Sequence, residues 1–204
     1  MSSLVSGTIL LLLLFANLTS YANVMADSLL SIWEDEVLPD TDRLEAINVL
    51  TWEGYIFSDP DSAFTLAGLQ YDLARSAGNK THMAHALRTQ GISLSLRSRD
   101  DEAIEYLNES LELYRELNMP KGIACIYNAF GNIYHYQARY EKALEYYSES
   151  NAIYKTIDDK NGIADTYENL GNVHFVQGDW DKAVDHFNRA LILYEESGNL
   201  RGKA

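Results

Sequence analysis

Residues 122–154 read GIACIYNAFGNIYHYQARYEKALEYYSESNAIY, and residues 162–194 read GIADTYENLGNVHFVQGDWDKAVDHFNRALILY. Laid one on the other they match Gly131 with Gly171, Ala143 with Ala183 and Tyr154 with Tyr194, a register of 40 residues. Continued backward, the same register adds Ala63 and Ala103 to the Ala143 column, Gly91 to the Gly131 column and Tyr114 to the Tyr154 column; Ala84, Ala124 and Ala164 form another. An acid stands two places before each alanine of the first column, at Asp61, Asp101, Glu141 and Asp181. A fixed period of this size marks a chain assembled from stacked supersecondary units, none of which can bury its apolar face alone.

Each unit divides into two amphipathic helices. In the last one Ala164, Tyr167, Leu170, Gly171 and His174 recur at three- and four-residue spacing and share one face of a first helix. Gln177-Gly178-Asp179 interrupts the pattern, and Ala183, Phe187, Ala190 and Leu191 supply the buried stripe of a second helix. Gly171 and Ala183 let the two helices approach closely while Tyr167 and Phe187 fill the space beside them. Ser76-Ala77-Gly78-Asn79 and Ser197-Gly198-Asn199 read as unit ends.

These residues resemble the tetratricopeptide repeat family, in a variant with about 40 rather than 34 residues per unit. The last two units carry the series most fully, at Tyr127, Phe130, Gly131, Ala143, Tyr147 and Ser150 and at Tyr167, Leu170, Gly171, Ala183, Phe187 and Ala190. The second unit holds Leu87, Gln90, Gly91, Ala103, Leu107 and Ser110; in the first, Thr51 stands where the glycine should be. The resemblance implies an all-α, right-handed superhelical solenoid of antiparallel helix pairs, expected over 41–80, 81–120, 121–160 and 161–200. A degenerate first unit suits a capping repeat, with residues 27–40 (DSLLSIWEDEVLPD) as a leading helix closed by Pro39. Arg201-Gly202-Lys203-Ala204 aligns with Lys121-Gly122-Ile123-Ala124, as if a fifth unit had begun, and the chain is expected to be the front of a longer protein.

The extreme N-terminus carries compartment information. Ile9–Ala16 (ILLLLLFA) is too short to span a bilayer, which takes roughly 20 residues, but it has the length of a signal-peptide core. Residues 1–26 are therefore expected to be an export signal, cleaved after Ala22 or Ala26, although no Lys or Arg precedes the run. Export places the body on the periplasmic or extracellular side, with a membrane touched only through further segments or an uncleaved N-terminus.

Composition and motifs point away from chemistry. With 30 Asp and Glu against 16 Lys and Arg, a net charge of -14, the chain lacks the clustered cations that phosphate neutralisation needs, so nucleic acid is not an expected partner. The single cysteine, Cys125, excludes an internal disulfide and any two-cysteine metal spacing, and reads as a buried structural thiol. His82 and His85 form the one close histidine pair, without a third ligand at a suitable spacing, and His174 reads as a packed core histidine. No H-E-x-x-H, G-x-S-x-G, phosphate-loop or dinucleotide fingerprint occurs, so no catalytic, cofactor or metal site is assigned.

What remains is a surface. The resemblance implies a concave side lined by the first helix of each unit. Helical phase directs His85, Arg88, Asn128, Asn132, His135, Asp165, Glu168 and Asn172 toward it. The asparagine amides carry both a donor and an acceptor and suit the backbone of an extended peptide, though Asn132 and Asn172 equally suit the repeat's own packing. The expected function is a non-catalytic scaffold for a protein or a basic or neutral peptide. The alternative is the extracytoplasmic input region of a longer membrane signalling protein, with a histidine kinase, nucleotide cyclase or DNA-binding output.

Overall fold

A computed structural model describes residues 25–198. The expected export signal up to residue 24 and the expected start of a fifth unit lie outside them. Residues 25–34 are helical (α1), followed by α2 (Asp40–Val49), a π-helical segment (Leu50–Tyr55), α3 (Pro60–Ser76), α4 (Lys80–Leu96), α5 (Asp100–Glu116), α6 (Pro120–Tyr136), α7 (Tyr140–Thr156), α8 (Lys160–Val176) and α9 (Trp180–Ser197). The fold class is all-α, with no strand among the described residues. Contacts divide the chain into two compact units, Met1–Arg97 and Ser98–Ala204.

From Pro60 to Val176 every helix has 17 residues and begins 20 after the last, so the 40-residue period is one helix pair. The turns explain this regularity. The residue at each of positions 78, 98, 118, 138, 158, 178 and 198 is left-handed, with φ between 51° and 78°. The next amide then reaches back five residues to a helix carbonyl, as Asn79 does to Ala74 (2.8 Å), Met119 to Tyr114 (2.9 Å) and Arg139 to Tyr134 (2.8 Å). Glycine supplies this conformation at 78, 178 and 198, whereas Ser98, Asn118, Ala138 and Asp158 adopt it with a side chain. The following helix starts at once. Asp59, Asn79, Asp159 and Asp179 cap the amides of Ser62, His82, Gly162 and Lys182.

In the second unit, aromatic rings close against glycine backbone. A methyl group on Gly131 would lie 2.4 Å from Tyr147 Cε1, and one on Gly171 would lie 2.7 Å from Phe187 Cε1, so each ring of α7 or α9 rests on bare backbone of its own pair. A second set joins successive pairs. The Tyr114 ring lies against Gly122 and the Tyr154 ring against Gly162, with virtual Cβ contacts of 2.4 and 2.3 Å. Ala143, Tyr147, Leu170 and Val173 form one buried cluster, and Ala124, Tyr154 and Ile163 form another.

The first unit departs from the repeat in a consistent way. In the column of Gly131 it has Thr51, and in the column of Tyr147 it has Ala67; both are buried. The Gly162 column holds His82 and the Tyr154 column holds Ala74, again both buried. Large and small have changed sides. Thr51 Oγ1 bonds back to the Ile47 carbonyl at 2.6 Å and the Ile56 amide reaches the Thr51 carbonyl at 3.0 Å, the five-residue reach that widens this turn into a π segment.

Two expectations need correction. The leading helix ends at residue 34, not at 40: the Asp35 carboxylate takes the Val37 amide at 3.0 Å in a turn, and Pro39 stands as the N-cap residue opening α2 instead of closing α1. Leu191 is 42% exposed, so the buried stripe of α9 runs through Ala183, Ala190 and Tyr194. Leu191 follows Ala190 by one residue, about 100° around the helix, and the Tyr194 ring decides which side faces inward.

Replacing Gly162 with Ala should lower stability by about 1–3 kcal/mol, because the Tyr154 ring must leave its seat. Gly54→Ala, whose methyl would meet Leu50 at an ordinary 3.7 Å, should be neutral or stabilising. Urea denaturation of the two variants checks this; equal loss from both would mean that helix propensity, not the ring contact, governs these glycines.

Candidate functional site

Each unit places some of the expected groove residues. In the second, α6 and α8 are first helices of consecutive pairs and lie side by side, joined by a hydrogen bond from Asn169 Nδ2 to Asn128 Oδ1 at 2.9 Å. Asn128, Asn132 and His135 line α6, and Asp165, Glu168 and Asn172 line α8; all six are half-buried or exposed, beside neighbouring rows that are buried. Their electronic states differ. Asn132 Oδ1 accepts the Tyr147 hydroxyl at 2.7 Å, so its acceptor serves the packing of α7, whereas its amide nitrogen has no such role. Burial lowers the His135 pKa below the ordinary imidazole value, keeping the ring neutral beside Tyr140.

The acidic end of the row is built around one hydroxyl. Tyr194 of α9 reaches Asp165 Oδ1 at 2.6 Å and Glu168 Oε2 at 2.9 Å. A phenol has a single proton to give, so two carboxylates compete for it. Burial of the carboxyl raises the Asp165 pKa, and Glu168 and Asp159 add to the rise, against the lowering effect of the Tyr194 hydrogen bond. Burial also raises Tyr194, helped by the two carboxylates. The equivalent hydroxyl one pair earlier, Tyr154, meets Cys125 Sγ at 3.1 Å, so Cys125 is a half-buried thiol in the same row and not a core residue.

In the first unit the row belongs to α2 with its π segment and to α4. His82 Nε2 stands 4.0 Å from Glu45, and its Nδ1 is 3.3 Å from Gln70 Nε2, which also reaches Asn48 at 3.4 Å. The His85 ring meets His82 edge-on at 5.6 Å. Burial, with the Arg88 charge and the neighbouring His82 adding to it, takes the His85 pKa down to about 4. Arg88 lies over the Trp52 ring, 4.6 Å from its centre. Trp52 is the residue that sequence reading missed in this row; the π segment turns it toward α4, and nothing in the local periodicity announces that.

Other expectations resolve simply. His174 is half-buried and stacks on His186 at 5.4 Å, not in the core, because α9 leaves that side of the pair open. Asp100 accepts a hydrogen bond from Gln137 Nε2 at 2.9 Å, tying α5 to the end of α6. Among the described residues no group of three or more His, Cys, Asp and Glu is placed to hold a metal ion, and no helix is long and apolar enough to cross a membrane.

Helix pairs of one length, closed ring on glycine and presenting a polar row of first-helix residues, define a helical repeat scaffold. Residues 122–198 match the tetratricopeptide repeat family. No curated protein matches it by sequence. Solved structures share the fold at low identity. BtubC from P. vanneervenii is 18% identical with a TM-score of 0.64, the match covering 87% of this chain and 73% of that one. A Rap protein complexed with competence and sporulation factor is 17% identical with a TM-score of 0.72, over 79% and 45%. The signal transduction ATPase with a tetratricopeptide repeat sensor from Pyrococcus horikoshii is 17% identical with a TM-score of 0.64, over 82% and 26%. The chain thus spans less than half the length of the last two.

Because the fold holds Asp165 above the ordinary carboxylate range, its ionisation costs stability above that raised value, and the cost fades as pH falls toward the unfolded value. Asp165→Asn, which keeps an acceptor for Tyr194, should therefore raise the melting midpoint at pH 7 and raise it less at pH 4. A gain that grows on acidification would mean that the carboxylate is stabilising as it stands.

Proposed function

We propose that the chain is a non-catalytic scaffold that holds a segment of another protein along the row shared by α6 and α8. The observation that carries this is the row itself: half-exposed amides at Asn128, Asn132 and Asn172 on two helices tied together, flanked by carboxylates and bounded by tightly packed backbone. Amides so placed can pair with an extended backbone without reading its side chains, while Asp165 and Glu168 favour a neutral or basic segment at that end. The structurally similar Rap protein was solved with competence and sporulation factor bound, which is in keeping with a scaffold of this fold taking a partner.

Peptides selected from a random library against the full chain should include binders. Asn172→Ala, which removes an amide with no packing role in view, should weaken them about three- to tenfold while leaving the melting midpoint unchanged. Titration calorimetry reads both; binders indifferent to Asn172→Ala and Asn128→Ala would remove this row from the binding surface.

We further propose export, with cleavage after Ala22. Ala26 lines a cleft with Leu30, Leu50 and Leu66, so a chain beginning at Asn23 keeps α1 whole, whereas cleavage after Ala26 removes that contact. Mass spectrometry of the mature protein should give Asn23 as its first residue; retention of Met1 in an exported or cytosolic product would sink the idea. The reading as the input region of a longer signalling protein draws support from the Pyrococcus horikoshii protein, whose repeats are called a sensor. An output domain encoded downstream is what it requires.

A further inference from the structure

Two columns of the repeat stack a ring of the first helix on a ring of the second, and consecutive pairs do so with different chemistry. Tyr134 of α6 lies on Tyr146 of α7, with 5.4 Å between ring centres and 6° between planes. Forty residues on, His174 of α8 lies on His186 of α9 in the same way, at 5.4 Å and 2°. A phenol keeps its proton up to about pH 10, whereas an imidazole changes charge at about pH 6.5. The last pair is therefore fastened by a contact that acid can charge, and the pair before it by one that acid leaves alone.

The surroundings of the imidazole pair favour neutral rings. His186 Nδ1 is buried with no hydrogen-bond partner. A neutral ring can turn a lone pair there and keep its proton on Nε2, but an imidazolium carries N–H on both nitrogens, and one of them would be buried without an acceptor. Lys155 of α7 and Arg189 of α9 stand over the Tyr167 ring of α8, 4.9 and 5.7 Å from its centre, and that ring is 5.7 Å from His186. The two nearby carboxylates are engaged: Asp185 holds Arg189 at 2.9 Å, and Asp179 holds Lys182 at 2.6 Å while capping α9. Burial lowers the His186 pKa, and His174, Arg189 and Lys155 lower it further against the opposing effect of Asp185. With the folded value below the ordinary 6.5, the stack contributes fully above that pH, and its contribution is lost as pH falls through the folded value.

The helix so fastened has little else to hold it. α9 packs mainly on α8, and Val184, Leu191 and Ile192 on its other sides are exposed. It also carries Tyr194, whose hydroxyl reaches Asp165 and Glu168 of α8. We propose that the stack of His174 on His186 is an acid-opened latch: protonation of the rings loosens α9 from α8 and withdraws the Tyr194 hydroxyl from the two carboxylates. Two like charges 5.4 Å apart, beside Lys155 and Arg189, supply the opening force. This concerns the fastening of one helix and stands or falls without the binding role of the α6 and α8 row.

The test is amide hydrogen exchange of the full chain between about pH 7.5 and about pH 5, corrected for the intrinsic pH dependence of exchange. It compares the unaltered chain with the double variant His174→Tyr, His186→Tyr, which copies the stack of Tyr134 on Tyr146. On acidification, opening of α9 should rise about tenfold or more in the unaltered chain and stay within about twofold in the variant. His82, His85 and His135 remain in both chains, as does Asp165, whose raised pKa acts in the opposite direction, so the difference belongs to the stack. Protection of α9 that ignores pH, or that falls equally in both chains, would overturn the proposal. Should the variant fail to fold by circular dichroism, NMR titration of the unaltered chain decides. The His186 ring should titrate below the ordinary imidazole value with the α9 amide signals following at the same midpoint; an ordinary midpoint, or α9 signals indifferent to it, is equally fatal.

Discussion

The contact between an aromatic ring and bare glycine backbone sets the geometry of the second unit. Tyr154 can lie on α8 only because Gly162 has no side chain, and Tyr147 can lie on α6 only because Gly131 has none. Each ring buries a large apolar area at low entropic cost while bringing two helix axes closer than side chains on both would permit. The interaction does two jobs at once, since one set of rings closes a pair and the other docks the next pair on it. With helices of one length and turns of one conformation, the same contact recurs every 40 residues.

Two of these rings, with Tyr194, also build the polar row. Tyr147 reaches through the pair to Asn132, Tyr154 to Cys125, and Tyr194 to Asp165 and Glu168. A phenol is apolar along its body and polar at its tip, so Tyr147 and Tyr154, packed against glycine, deliver their hydroxyls to groups on the first helix of the pair. Packing and surface chemistry are thus coupled: the residues that hold helices together also orient the groups a partner would meet. Asp165 illustrates the consequence, its proton affinity raised by burial and held back by the Tyr194 hydroxyl that α9 brings to it.

Where the first unit exchanges large for small, that coupling is broken and a different polar system takes its place. Ala67 and Ala74 carry no hydroxyl, and the space on the inner row is occupied instead by Gln70, His82 and their partners Asn48 and Glu45. The two units therefore offer opposite chemistries, amide and acid in one, imidazole and guanidinium in the other.

Much of the fold is legible in the sequence because helix period and turn residues are local. The Gly131 and Ala143 columns, the break at Gln177-Gly178-Asp179 and the positions of α3 to α9 follow from spacing alone. The tyrosine column is equally visible, but its partners are not, since Gly122 and Gly162 matter only once the chain has turned back and set Tyr114 and Tyr154 on them. For the site, helical phase picks out the row residues but not their states. Whether Asn132 is free or engaged, whether Leu191 faces in or out, and whether His186 Nδ1 finds a partner depend on which helix lies alongside. A sequence determines the face on which a side chain stands; burial, hydrogen bonding and charge pairing are properties of the neighbour, and the tertiary structure alone supplies it.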